Sequence, residues 1–267
     1  MQNMIDRLSH PALIEAMETN TEEFVSLWGR ALGATFYHEA GASWFITGGP
    51  FLRLNMGVQA RLTPDTPAEK IDDMLSKIEA HNVPTSWPVG PSLQHPPIES
   101  RVKARGWSIF DTSGMARDLQ DLDEHIAMPA GVTLERIDTT EALQLGVQTI
   151  AAGMPWSDAG RDYILDVVLK RGFIAHPSVR YYLARLNGQP VATSILYLAS
   201  GVAGLYCVAT VPSARGRGIG RAISHLPLLD ARNMGYRVAI LQATEKGERV
   251  YRRLGFEEIC RIHFWQR

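Results

Sequence analysis

Two cysteines, Cys207 and Cys260, are too few to build a disulfide scaffold in a chain of 267 residues. Neither stands in a CxxC pair, so a cysteine zinc site is equally poorly supported. Excess charge is missing as well. A formal net charge of -1 and a pI near 6.7 leave no chain-wide basic surface for nucleic acid or an anionic membrane, so neither is expected as a partner. No segment approaches the roughly 18 apolar residues of a membrane span, and the opening "MQNMIDRLSHPALIEAMETN" has no apolar core. The expected location is the cytoplasm. What remains is a chain 45% hydrophobic and 21% charged, the composition of a globular protein, long enough for one large domain or two of ordinary size.

The second half reads most clearly. "VRYYLARL" from Val179 and "VATSILYL" from Val191 are strand-like runs separated by Asn187-Gly188, a hairpin signal. A third run, "VAGLYCVATV", leads into "PSARGRGIGR", after which Ile219, Ala222, Ile223, Leu226 and Leu229 recur at helical spacing. Pro227 lies inside that helix and is expected to bend it. "RVAILQA" reads as a buried strand, "GERVYRRLGF" as a short helix with Gly255 at its end, and "EEICRIHFW" as a closing strand.

The first half shows a helix to about Leu32, then "ATFYHE", "SWFIT" and "FLRLNMGVQARL" as strands. A helix carrying Ile71, Met74, Leu75 and Ile78 on one face follows. Next come the proline-studded "VPTSWPVGPSLQHPP", a helix "IESRVKARG" and a strand "WSIFDTSGMARDL". Residues 120–131 read as a linker, which gives two domains, 1–125 and 131–267. The halves also share an order. Pro212 follows a strand, opens a helix and precedes Gly255-Phe256; Pro64 follows a strand, opens a helix and precedes Gly106-Trp107 at nearly the same separation.

The halves differ at the loop itself. Glycines let an anion approach consecutive N–H groups at a helix start, and the second half offers Gly216, Gly218 and Gly220 there, among Arg215, Arg217 and Arg221. The first half offers "PDTPAEKIDD", with no glycine and with Asp65, Glu69, Asp72 and Asp73 in the same field. Only the second half is therefore expected to hold a phosphate. The dinucleotide spacing GxGxxG fails, because Arg221 stands where its last glycine belongs. A P-loop fails too, because Arg221-Ala222 replaces its Lys-Ser/Thr pair.

The surviving pattern, RxxGxG at Arg215, Gly218 and Gly220 within "CVATVPSARGRGIG", together with "VYRRLGF" at Tyr251 and Phe256, resembles the GNAT superfamily of acyl-coenzyme A-dependent N-acetyltransferases. The resemblance covers roughly residues 132–267 and is weaker in the first half. It implies an α/β (α+β) fold of two GNAT-like domains, each a mixed, mostly antiparallel twisted sheet flanked by helices, the first without a cofactor site. It further implies acetyl-CoA as co-substrate, no metal, and a small-molecule primary amine or amino acid derivative as acceptor. Backbone N–H groups of Gly216, Arg217, Gly218, Ile219, Gly220 and Arg221 would bind the pyrophosphate, with Arg215 heading the motif. Backbone groups of Val208, Ala209 and Thr210 would pair with the pantetheine arm beside a splayed strand. Family members often carry an asparagine before the tyrosine that contacts pantetheine; here that position is Thr244.

The same resemblance places Tyr251 as general acid for the leaving sulfur, with a backbone N–H, that of Val208, polarising the carbonyl. The carboxylate that family members often use as base is missing from "GLYCVAT". Water, a chain of backbone carbonyls or a substrate already neutral would each serve. Met154, Pro155, Trp156 and Asp158 fall in the region of the acceptor wall, and Trp44, Trp87 and Pro88 of the first half are further candidates. Cys207 and the histidines His176, His225 and His263 read as structural or surface residues. The competing reading is a non-catalytic protein that binds acyl-CoA as a regulatory ligand.

Overall fold

A computed structural model describes residues 10–39, 41–60, 62–63, 65–125, 128–154, 156–171 and 176–267. Pro64 and Pro155 lie outside these residues. Helix α1 (His10–Ala31) is followed by strands β1 (Thr35–Glu39), β2 (Ala42–Ile46) and β3 (Asn55–Ala60), the last preceded by a single 3-10 turn at Leu52–Leu54. Helix α2 (Ala68–Glu79), strand β4 (Ser86–Val89), helix α3 (Pro96–Ala104) and strand β5 (Ser108–Asp118) complete the first half. The second half runs β6 (Val132–Ile137), α4 (Thr140–Gly153), α5 (Asp158–Arg171), β7 (Val179–Leu186), β8 (Gln189–Ala199), β9 (Val202–Thr210), α6 (Ile219–Asn233), β10 (Val238–Ala243), α7 (Glu245–Arg253) and β11 (Glu257–Gln266).

The eleven strands of the described residues lie in one sheet, in the order β1-β2-β3-β4-β11-β5-β10-β9-β8-β7-β6. The sheet is mixed and mostly antiparallel, as expected; β3 with β4 and β9 with β10 are its parallel neighbours. The two halves of the sequence do not make two separate sheets, however. Strand β11 pairs with β4 and β5, both from the first half, and β5 pairs with β10 and β11, both from the second. Each half thus places its last strand inside the other, and backbone pairing runs unbroken across the seam. Hydrophobic spacing alone cannot reveal such an exchange, because it specifies which face of a strand is buried and not which strand lies beside it.

Side chains alternate across the sheet and build a core on each face. Leu13, Met17, Phe24, Val25 and Trp28 of α1 share one side of the helix and pack on one face with Met56, Val147, Ile164, Ile195 and Phe264. The opposite face carries α2 and α3 over Trp44, Trp87 and Trp265, and α6 over Leu196, Leu205 and Leu241. Between β5 and β6, Leu122 is buried in this second core, Arg232 donates to its carbonyl at 2.7 Å, and His225 bonds the Asp123 carbonyl at 2.7 Å. Leu122 and Asp123, within the segment read as a linker, are thus docked against α6.

Two prolines show how local rules are met. "SWPV" forms a strand despite Pro88, which the sequence reading left in an irregular segment. Thr85 and Arg267 exchange backbone bonds, so by alternation the Pro88 nitrogen faces β3, where the ladder stops at Met56–Ser86. Pro227 cannot donate to the Ile223 carbonyl one turn earlier, and Ser194 Oγ does so instead at 2.8 Å.

The repeat is also visible in the helix ends. Gly106 and Gly255 both take positive φ, +85° and +79°, after α3 and α7. The next N–H reaches back five residues in each case, Trp107 to the Val102 carbonyl and Phe256 to the Tyr251 carbonyl. Val102 is therefore the first-half counterpart of Tyr251.

Candidate active site

The site grows from β9. Its parallel ladder with β10 runs from Ala203–Ala239 to Leu205–Leu241 and stops, while its antiparallel ladder with β8 continues to Thr210 through an irregularity opposite Thr193–Ile195. Cys207, at that irregularity, has φ +48°, a left-handed conformation uncommon for a residue with a side chain and characteristic of a bulge. The bulge turns β9 away from β10. Tyr206 pins the strand where the ladder ends: its ring stacks on Phe24 at 4.0 Å and its hydroxyl donates to Asn20 Oδ1 at 2.7 Å.

Beyond the bulge, strand parity decides which groups face the gap. Val211 N–H donates to the Val191 carbonyl on β8. Ala209 shares that orientation, so its backbone groups face β8, whereas those of Val208 and Thr210 face the gap. Of the three expected pantetheine contacts, the backbone of Val208 and the N–H of Thr210 are thus presented to the gap, and Ala209 is a buried strand residue.

A 3-10 turn, Pro212–Ala214, closes β9 and delivers the glycine loop. Gly216 and Gly218 have φ +76° and +80°, and Gly218 is the residue from which α6 starts. A Cβ on Gly216 would meet nothing within 4 Å and one on Gly218 only Pro129 at 3.6 Å, so the space above the loop is open. Arg221 and Ala222 N–H groups donate to the Gly218 carbonyl. Among the described residues, nothing accepts from the N–H groups of Gly216, Arg217, Gly218, Ile219 or Gly220. Five consecutive donors at a helix start make an anion site of the kind a pyrophosphate fits.

The three arginines divide their work. Arg215 donates through Nε to the Thr210 carbonyl at 3.0 Å and through Nη2 to the Gly153 carbonyl at 2.9 Å, tying the loop to the end of α4. Gly153 is required there, since a Cβ would lie 2.9 Å from Ala209 Cβ. Arg215 is therefore a brace within the loop. Arg217 and Arg221 are exposed and, among the described residues, pair with no carboxylate, which leaves both for an anion.

Tyr251 packs against the α6 core, edge-on to Phe256 at 5.9 Å. Burial pushes its phenol up to about 12, with hydrogen bonding to Ser224 working in the opposite direction. Ser224 also donates to the Gly220 carbonyl at 2.8 Å. Ser224, which no sequence motif singled out, therefore stands beside the tyrosine and is bonded to the first turn of the cradle helix. Thr244 caps α7, its hydroxyl accepting from Gly247 N–H at 3.3 Å.

The expected acceptor wall is split. Trp156 packs on Phe51 of the first half, ring centres 5.6 Å apart, in the cluster that includes Met154, Tyr206 and Cys207. Asp158 is not brought there: it begins α5 with its side chain 93% exposed and paired to Arg161. A carboxylate at a helix start is favoured by the helix dipole, and this explains its place without a ligand. Trp44 and Trp87 are buried under α2 and α3, on the opposite face. Among the described residues, no group of three or more His, Cys, Asp or Glu side chains could hold a metal ion, and no helix is long and apolar enough to cross a membrane.

Comparison with known proteins finds a family match in the second half and a fold likeness across the chain. Residues 177–258 match the model of the acetyltransferase (GNAT) domain. No curated protein matches the sequence. Among solved structures, a GCN5-related N-acetyltransferase from Kribbella flavida is similar with a TM-score of 0.65 and 20% identity, over 92% of this chain and 95% of that one. A GCN5-related N-acetyltransferase from Sphaerobacter thermophilus is similar with a TM-score of 0.59 and 18% identity, over 86% of this chain and 77% of that one. A tandem GNAT protein from the clavulanic acid biosynthesis pathway, whose structure is without AcCoA, follows with a TM-score of 0.57 and 15% identity, over 94% of this chain and 96% of that one. These likenesses extend the fold across both halves. The bulged strand, the glycine loop and the match over residues 177–258 together identify a GNAT acetyltransferase domain in the second half of the chain.

Proposed function

We propose that the protein is an acetyl-CoA-dependent N-acetyltransferase that acylates the primary amine of a small molecule or amino acid derivative by direct attack. The observation that carries this reading is the set of five N–H donors at Gly216–Gly220, standing at the end of the strand whose backbone faces an open gap. The residues fit the co-substrate. Gly216 to Gly220, with Arg217 and Arg221, would hold the pyrophosphate, and the backbone of Val208 with the N–H of Thr210 would hold the pantetheine arm as an added strand. Acetyl-CoA supplies an activated thioester carbonyl when bound.

In the transfer, the amine nitrogen forms a bond to the thioester carbon, the carbon–sulfur bond breaks, and one proton passes overall from nitrogen to sulfur. Val208 N–H faces the gap and would donate to the carbonyl oxygen as charge develops on it. Tyr251, protonated throughout the neutral range, would donate to the leaving sulfur. Strand β9 carries no carboxylate, so the nitrogen gives its proton to water or attacks as a neutral amine.

The test is a continuous assay of free thiol in mixtures of protein, acetyl-CoA and a panel of primary amines, run beside calorimetric titration of coenzyme A. Thiol release that depends on the amine supports the enzyme. Tight coenzyme binding with no release above background on any amine would instead identify a regulatory acyl-CoA-binding protein.

A further inference from the structure

The seam between the halves holds a cation without an anion. Arg53 lies in the 3-10 turn that leads into β3, its carbonyl accepting from the Trp28 indole at 2.9 Å. Its guanidinium lies over the Phe264 ring, 4.6 Å from the centre. Among the described residues, no carboxylate pairs with it and no acceptor takes its N–H groups. Other arginines along the seam are engaged: Arg237 with Asp118, Arg105 and Arg267 with Glu79, and Arg117 with the Asp121 carbonyl.

The register locates Arg53. Phe264 pairs with Phe110 on β5, whereas β10 ends at Ala243, opposite Ser113. Phe264 and Phe110 therefore stand beyond the end of β10, beside the gap that opens there toward β9. The neighbours of Arg53 in sequence, Phe51 and Leu54, pack in the cluster that holds Trp156, Tyr206 and Cys207, and Cys207 immediately precedes Val208. Arg53 thus approaches the gap from the face that carries α1, and the glycine cradle approaches it from the face that carries α6. Burial disfavours the charge on Arg53 and the neighbouring Cys207 thiol acts the other way. A guanidinium has five N–H donors and no acceptor, and those of Arg53, half-buried against Phe264, have no acceptor among the described residues.

We propose that Arg53 binds an anionic group of the acceptor, so that the substrate is an amine carrying a carboxylate within a few bonds of its nitrogen. The guanidinium would fork onto the carboxylate and hold the nitrogen near the carbonyl beside Val208. The inference rests on the acyl-transfer reading and narrows it to amino acids and related amino carboxylates.

The experiment compares glycine, β-alanine and phenylalanine with methylamine, ethylamine and phenethylamine, following thiol release by wild type, Arg53→Gln and Arg53→Lys. Carboxylate-bearing amines are expected to lead their decarboxylated counterparts that lack a carboxylate. Arg53→Gln is expected to raise their KM roughly 10- to 100-fold, the range of a charge-assisted hydrogen bond, with coenzyme A affinity unchanged and partial recovery in Arg53→Lys. Preference for carboxylate-free amines, unchanged discrimination in Arg53→Gln, or weakened coenzyme affinity in that variant would each overturn the assignment. If wild type transfers to no amine, the acyl-transfer reading fails by itself. The Arg53 site is then judged by saturation-transfer NMR of glutamate and phenylalanine with the coenzyme A-loaded protein. Binding lost in Arg53→Gln supports it and absence of binding sinks it.

Discussion

Helices α2 and α6 both follow a strand, both lead to a parallel neighbour of that strand, and begin in opposite ways. Helix α6 starts from Gly218 at positive φ with its leading N–H groups open and two unpaired arginines beside them. Helix α2 starts from Pro67, which has no N–H to offer, and Glu69 lies in its first turn. Its acids also have other work: Asp72 pairs with Arg101 and Arg105, Asp73 with Lys77, and Glu79 with Arg105 and Arg267. At the far end of each unit the contrast repeats, with Tyr251 in one half and the buried Val102 in the other. One architecture therefore serves two ends. A start left open invites an anion, while a start surrounded by carboxylates braces the neighbouring helix.

The comparison can be broken most severely by separating the halves. Expressed alone, residues 128–267 leave β11 without either of its ladder partners and β10 without β5, so no cooperative thermal transition is expected by circular dichroism. A sharp transition with intact coenzyme A affinity would show that the second half is self-sufficient.

Next in size is the cradle itself. Gly218→Val puts a β-branched side chain at φ +80° and over the anion position, at a conformational cost of about 1–2 kcal/mol that the fold survives. Coenzyme A affinity is expected to fall at least about 100-fold by calorimetry. Wild type should bind one coenzyme per chain, and Glu69→Ala in the other half should leave both affinity and stoichiometry alone. A second equivalent of coenzyme would place a working cradle at α2.

Tyr251→Phe is expected to lower turnover roughly 100-fold, in the range of general acid–base catalysis, with coenzyme affinity retained. The phenol also has a stability signature. Its value of about 12 in the folded chain exceeds the unfolded value near 10. Its contribution is thus fully present below pH 10 and lost as pH rises through 12. Melting temperatures measured across that window should fall less steeply in Tyr251→Phe, and identical slopes would mean that the tyrosine is not buried as described.

The smallest effect belongs to the first half. Burial opposes charge on Glu79, but hydrogen bonds from Arg105 and Trp107 and the charges of Arg105 and Arg267 outweigh it and hold the carboxyl down to about 2. Its stabilisation is therefore full above about pH 4.5 and lost as pH falls through 2. Glu79→Gln is expected to destabilise by about 1.5–3 kcal/mol at neutral pH, converging on wild type in strong acid. Coenzyme affinity should not change.

Much of this contrast was legible in the sequence, because it resides in residues whose meaning is local. Glycines before a helix, acids at its start and a glycine after it declare themselves without knowledge of neighbours. What depends on distant partners was not legible. Pro88 obscured β4 because its tolerance rests on where the β3 ladder stops, and Ser194 rescuing the Pro227 turn is visible only once β8 lies against α6. Asp158 looked like a pocket residue from its motif position, yet the helix it begins turns it to solvent. Ser224 and Arg53 carried no pattern at all, since each acquires its place from packing between elements far apart in the chain.

The reciprocal placement of β5 and β11 has a consequence for synthesis. When the ribosome has made β4 and β5, the position between them stays vacant, because its occupant is made after every other strand. Domains generally fold as units during synthesis, the N-terminal one first, but here the first half keeps an unfilled slot with exposed backbone donors and acceptors until Glu257–Gln266 emerges. The nascent chain must hold a half-open sheet through more than half of its own translation, and final closure of both halves is a single late event.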